Sequence, residues 1–154
     1  MSDSTAPSKP AAGAPVLADL GEECWFEGYS GCIGCSPDHP HGLHLRFFRR
    51  EDAVRGRVVV PPAWQGADGI AHGGAVTTVL DEYSCAASAF LRGVVVVTGE
   101  LTVRFEAPCP TGVELQVRAW IDAEERAAYR DIAAEITLGD RVIARSRGRF
   151  FPLR

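Results

Sequence analysis

The chain has 154 residues, a formal net charge of −4 and 46% hydrophobic residues, a composition that suits one domain with a substantial core. The acidic balance argues against a nucleic-acid partner, and no apolar run approaches the ~20 residues that span a bilayer. Five cysteines, an odd number, in a sequence without signs of export point to reduced thiols in a cytoplasm.

Residues 1–20, MSDSTAPSKPAAGAPVLADL, are rich in Ala, Pro and Ser and lack the basic start and apolar core of a signal peptide. They are expected to form a disordered tail ahead of a single domain over 21–154. Next come Cys24 and the C-x2-C pair Cys32 and Cys35, followed by His39, His41 and His44. Three Cys and one His can make a structural zinc site, but the spacing matches no second knuckle. Ser36-Pro37-Asp38 and Pro40-His41-Gly42 read as turns, so the expectation is no metal and no cofactor. Leu43-His44-Leu45-Arg46-Phe47 alternates as a first strand, and Arg55 to Val60 makes another that stops at Pro61-Pro62.

The most informative segment is His72-Gly73-Gly74, followed after six residues by Asp81. Gly73 to Arg92 reads as one helix. A Gly-Gly opening leaves backbone N–H groups bare at its N-terminus, where the macrodipole favours negative charge. Ala75, Val76, Val79, Leu80, Tyr83, Ala86, Ala87 and Phe90 form a broad apolar face. The opposite side carries Thr77, Thr78, Asp81, Ser84, Cys85 and Ser88, small polar residues suited to packing against another chain. An oxyanion donor and a carboxylate are the minimum for attack on an activated carbonyl. Gly73 and Asp81 stand roughly 12 Å apart along the axis, too far to serve one carbonyl from one chain. Facing helices of two subunits would bring them together, so dimerisation becomes a condition of this chemistry.

After the helix, Val94 to Ala107 reads as a long strand with Leu101, Val103 and Phe105 on one face. Thr98, Glu100, Thr102 and Arg104 fall on the other. Alternation continues through Leu115 to Ile121 and Ile132 to Leu138, with Gly139-Asp140 as a hairpin turn before a last strand from Arg141 to about Phe151. Arg145, Arg147 and Arg149 share a face that reads as a solvated sheet surface or a contact for phosphates. The architecture is α+β, an antiparallel sheet covering one long helix.

Three segments, CIGCSPDHPHGLHLRF (Cys32 to Phe47), WQGADGIAHGGAVTTVLDE (Trp64 to Glu82) and VVTGELTVRFEAPCP (Val96 to Pro110), resemble the hotdog-fold acyl-CoA thioesterases of the PaaI type. The combination of HGG-x6-D with a T-x-x-L-x-V-x-F-x-x-P strand carries the likeness. The resemblance implies a sheet wrapped around the central helix, with subunits paired as homodimers or dimers of dimers. It implies that Asp81 is the catalytic base or nucleophile and that the Gly73 N–H polarises the thioester carbonyl. Thr98 would place the attacking water, and His72 would position groups beside the site. Some relatives hold the substrate with an Asn or Gln upstream of HGG. That position falls here on Gly66, leaving Gln65 as the neighbouring amide. Gln65 and Gly74 are assigned to substrate binding, with Glu82 as a supporting residue. Trp64, Tyr83, Phe90 and Phe105 are candidates for an acyl tunnel or for the core.

The function expected is hydrolysis of acyl-CoA to free acid and CoA. The alternatives are a non-catalytic hotdog module binding acyl-CoA or a protein partner, and a hotdog hydratase or dehydratase. The last needs a close acid/base pair that this motif does not match.

Overall fold

The computed structural model describes residues 18–123 and 128–154. Most of the tail expected over 1–20 therefore lies outside the described residues; its last three, Ala18–Leu20, form a 3₁₀ turn. Seven strands follow: β1 (Glu22–Cys24), β2 (Phe47–Arg50), β3 (Ala53–Val59), β4 (Val96–Phe105), β5 (Glu114–Ile121), β6 (Arg130–Leu138) and β7 (Arg141–Pro152). All pair antiparallel in one sheet of order β1-β2-β3-β5-β6-β7-β4.

Helix α1 (Gly73–Arg92) lies on one face of this sheet. Its ends are set by local chemistry. His72 caps the N-terminus, and Gly93, at φ 68°, closes the C-terminus in the left-handed conformation that glycine adopts without strain. Ala75, Val76, Val79, Leu80, Tyr83, Ala86 and Ala87 are buried. They meet the inward residues of β5 (Leu115, Val117, Ala119) and β6 (Ile132, Ala134, Ile136), which follow the period-two alternation. Tyr83 and Phe47 meet edge to face at 5.0 Å, and Phe26 stacks beside Phe90 at 4.8 Å. Tyr83 is therefore a core residue, and Phe90 is partly buried against the same core.

At Tyr83 the helix packs tightly against β3. The Tyr83 hydroxyl donates to the Arg46 carbonyl at 2.6 Å, and a Cβ on Gly56 of β3 would sit 1.7 Å from that hydroxyl oxygen. Only glycine leaves room for the ring.

Three sequence expectations are corrected. The strand expected from Leu43 begins only at Phe47, because His44 takes a φ of 50°, incompatible with a strand. Leu43 and Leu45 instead donate their N–H groups to Ile33 and Gly34. Ser84 and Ser88, assigned to the outward side of the helix, are fully buried. Their hydroxyls bond to the carbonyls of Leu80 (2.8 Å) and Val94 (2.7 Å), so burial leaves neither unsatisfied. Finally, β4 carries a bulge between Thr98 and Glu100. The extra residue resets the alternation, so Thr98 faces the helix as Leu101 and Val103 do.

On the outer face, Arg145 lies 3.9 Å from Glu135, Arg147 3.6 Å from Asp122 and Arg149 3.7 Å from Asp131. These exposed pairs complete a charged surface and add little stability.

Candidate active site

The HGG segment is built around His72. Its backbone, at φ −58° and ψ 140°, is extended, and its Nδ1 accepts the Gly74 N–H at 2.8 Å. This acceptor role puts the ring proton of the neutral imidazole on Nε2. The His72 carbonyl takes the N–H groups of Ala75 (2.9 Å) and Val76 (3.2 Å). The Gly73 N–H has no acceptor among the described residues. The helix thus offers one open donor at its positive end. Gly74, assigned to substrate binding, commits its donor to His72.

Phe105, at the far end of β4, borders this donor: a Cβ on Gly73 would lie 3.6 Å from its ring. The phenyl is 54% exposed beside the HGG turn, which the Trp64 backbone also borders by accepting the His72 N–H at 2.9 Å. Trp64 donates its indole N–H to the His41 carbonyl at 2.9 Å. Gln65 turns its Oε1 onto the Gly69 N–H at 3.2 Å, a bond that shapes the 65–69 loop. Gly66 lies against His72, whose ring carbon would be 3.7 Å from a Cβ there.

Two turns along the helix, half-buried Asp81 meets the strand that the bulge has rotated toward it. Thr98 Oγ1 donates to Asp81 Oδ1 at 2.5 Å. That bond uses the only proton of the hydroxyl, leaving its lone pairs to accept one from a water. Asp81 Oδ2 has no donor among the described residues. Cys85, one turn further, places its Sγ 3.9 Å from Thr98 Oγ1. Burial, helped by the Asp81 carboxylate, pushes the Cys85 thiol up to about 12, so at neutral pH it is a neutral thiol and not a competing nucleophile. Its spacing from Asp81 was visible in the sequence, but its neighbourhood with Thr98 depends on the bulge.

Glu82 points elsewhere. It packs under the Cys32–Cys35 loop, where the Cys32 thiol donates to Oε1 at 3.3 Å, and burial raises its carboxyl above the usual range. The histidines weighed as partners of these cysteines bond among themselves. His39 Nδ1 accepts the His41 N–H at 3.1 Å, and His44 Nε2 lies 2.7 Å from the His39 carbonyl.

Comparison with known proteins gives a consistent result. Residues 68–127, from the loop before HGG through β5, match the model of the thioesterase superfamily. No curated protein sequence matches the chain. A thioesterase superfamily protein of known structure superposes with a TM-score of 0.72 at 23% identity over 79% of the chain, which spans 60% of that protein's length. The PaaI protein from the phenylacetic acid degradation operon of E. coli gives 0.63 at 19% identity, covering 71% of this chain and 83% of that one. Protein smu.793 of Streptococcus mutans UA159, solved bound to acetyl CoA, gives 0.63 at 17%, covering 71% and 88%. The antiparallel sheet around one long helix is the hotdog fold of these proteins. Among the described residues no helix is long and apolar enough to cross a membrane.

Proposed function

We propose that this chain, which resembles the thioesterase superfamily in both sequence and fold, hydrolyses acyl-CoA thioesters to a free acid and CoA. The observation that carries the reading is the Asp81–Thr98 pair, a half-buried carboxylate held by a 2.5 Å hydrogen bond and without a basic partner among the described residues. The acetyl CoA bound to the S. mutans neighbour supports the substrate class.

In this mechanism the acyl carbonyl oxygen points at the Gly73 N–H, where a backbone donor and the helix dipole stabilise developing negative charge. Asp81 Oδ2 takes the proton of a water whose oxygen attacks the carbonyl carbon, or attacks that carbon itself to give a mixed anhydride that water then hydrolyses, releasing the acid and restoring the carboxylate. Thr98 fixes Oδ1 and accepts a hydrogen bond from the water. Collapse of the tetrahedral intermediate expels the CoA thiolate, a leaving group stable enough to depart without a strong general acid. His72 holds the Gly73-Gly74 turn in register through its bond to Gly74.

The site as proposed needs two subunits. The helix is unbroken over Gly73–Arg92, so the Gly73 donor and Asp81 of one chain remain roughly 12 Å apart along its axis. The outer edge of β4 supports pairing with a second copy. That edge has no neighbour among the described strands, and Val97 and Phe105 on it are 48% and 54% exposed. Gly73 of one protomer then serves the carbonyl attacked under Asp81 of its partner, in a homodimer or a dimer of dimers.

The test is release of CoA thiol from aryl, short-, medium- and long-chain acyl-CoAs by wild type and Asp81→Asn, with the protein's own five thiols subtracted. Turnover by the wild type that collapses in the variant is expected. A variant as active as wild type removes Asp81 from the chemistry.

A further inference from the structure

We propose that Cys32, Cys35 and Glu82 form a Zn²⁺ site that fastens the Cys32–Cys35 loop to α1, one residue from Asp81. The two sulfurs and a Glu82 oxygen all lie within 4.8 Å of one another. A tetrahedral Zn²⁺, with Zn–S near 2.3 Å and Zn–O near 2.1 Å, sets such atoms about 3.6–3.8 Å apart. Cys32 Sγ and Glu82 Oε1 are already at 3.3 Å, so small side-chain rotations suffice.

The loop is built to hold this arrangement. The Cys35 N–H points at Cys32 Sγ, 3.4 Å away, and so supplies a donor that stabilises negative charge on that sulfur. The Ser36 N–H closes on the Cys32 carbonyl at 3.1 Å, and the Ile33 and Gly34 carbonyls are held by Leu43 and Leu45, both at 2.9 Å. Gly34 lies so near the helix that a Cβ would come within 2.5 Å of the Glu82 side chain. A glycine is therefore what lets the loop rest on the carboxylate.

Two thiols and a half-buried carboxylate converge at this point, each offering one ligand atom. Two soft thiolates and one carboxylate suit Zn²⁺ over Mg²⁺ or Ca²⁺, which take oxygen ligands. Binding transfers both thiol protons to solvent and joins the sulfurs and one carboxylate oxygen to the metal. Three protein ligands leave a fourth position for water. The ion ties the loop to α1 with a water completing its tetrahedron, and the set with histidines weighed from the sequence is replaced by one that uses a carboxylate from the helix.

The inference stands apart from the thioesterase reading and is tested on the full chain, reduced and stripped with a chelator. Titration with Co²⁺ is expected to give one equivalent bound per chain with sulfur-to-cobalt charge-transfer absorption, reversed by Zn²⁺. The band is expected to disappear in Cys32→Ser and Cys35→Ser and to persist in Cys24→Ser and Cys109→Ser. Glu82→Gln should weaken Co²⁺ binding by at least about tenfold. A reduced wild-type protein with no saturable charge-transfer band overturns the proposal, without reference to any variant's folding. So does a band that survives in Cys35→Ser, or a Cys32–Cys35 disulfide whose reduction yields no metal uptake.

Discussion

Replacing Gly73 with proline removes one atom group that matters, the backbone N–H, while leaving the helix start acceptable. Gly73 is the first residue of α1, where proline's missing donor costs no helical hydrogen bond and its fixed φ suits the helix. Proline also requires an extended preceding residue, and His72 already has φ −58° and ψ 140°. Nearby space is adequate, since the closest side chain to a Cβ there is Phe105 at 3.6 Å. The Gly74 N–H is held by His72 and cannot substitute. Loss of a single oxyanion donor costs about 2.7–4 kcal/mol in the transition state, so kcat should fall about 10²- to 10³-fold. Gly73→Ala, which keeps the N–H and adds similar bulk, should stay within about threefold of wild type. The assay is steady-state CoA release at saturating acyl-CoA, with thermal melting as the check on folding. Mixing refolded Gly73→Pro and Asp81→Asn chains adds a stringent arm. Half the dimers then carry one intact composite site of two, so about a quarter of wild-type activity should return. A folded Gly73→Pro enzyme with near-wild-type kcat would refute the oxyanion role, and failure of the mixture to recover would refute a shared site.

Thr98→Ala deletes the hydroxyl that donates to Asp81 at 2.5 Å. Hydrogen bonds to charged groups contribute about 1.5–3 kcal/mol, so kcat should drop about 10- to 150-fold in the same assay, with Thr98→Ser retaining most activity. An unchanged rate in Thr98→Ala would remove Thr98 from the site. Gly56→Ala should destabilise the fold by about 2–6 kcal/mol, combining overpacking with the broken Tyr83–Arg46 bond. Urea unfolding checks this; a midpoint within error of wild type would contradict the packing described around Tyr83.

What could be read from the chain follows the range of the interactions involved. Helix α1 was legible to its ends because its limits are local: an N-cap next to Gly-Gly, and a glycine after Arg92. The strands β5, β6 and β7 were legible because one face is buried and the other charged. Alternation misled at Leu43 to Phe47, where His44 turns the backbone, and at Thr98, where one extra residue moves a side chain across the sheet. Hydropathy misled at Ser84 and Ser88, since a serine that bonds a nearby carbonyl enters the core at small cost. The meeting of Glu82 with Cys32 and Cys35 joins positions far apart in the chain, and no local pattern announces it.

The position of β4 in the sheet has a consequence for the order in which the protein is assembled. Among the described strands this one, which carries Thr98, is hydrogen-bonded only to β7, which follows it by more than 30 residues. A ribosome working at about 5–20 residues per second makes β4 and then waits a few seconds before the matching strand emerges. During that interval helix α1 can form, but the strand that must meet Asp81 has no template. The Asp81–Thr98 contact is therefore a late product of synthesis, and a chain cut short before Arg141 would keep both residues yet have nothing to bring them together.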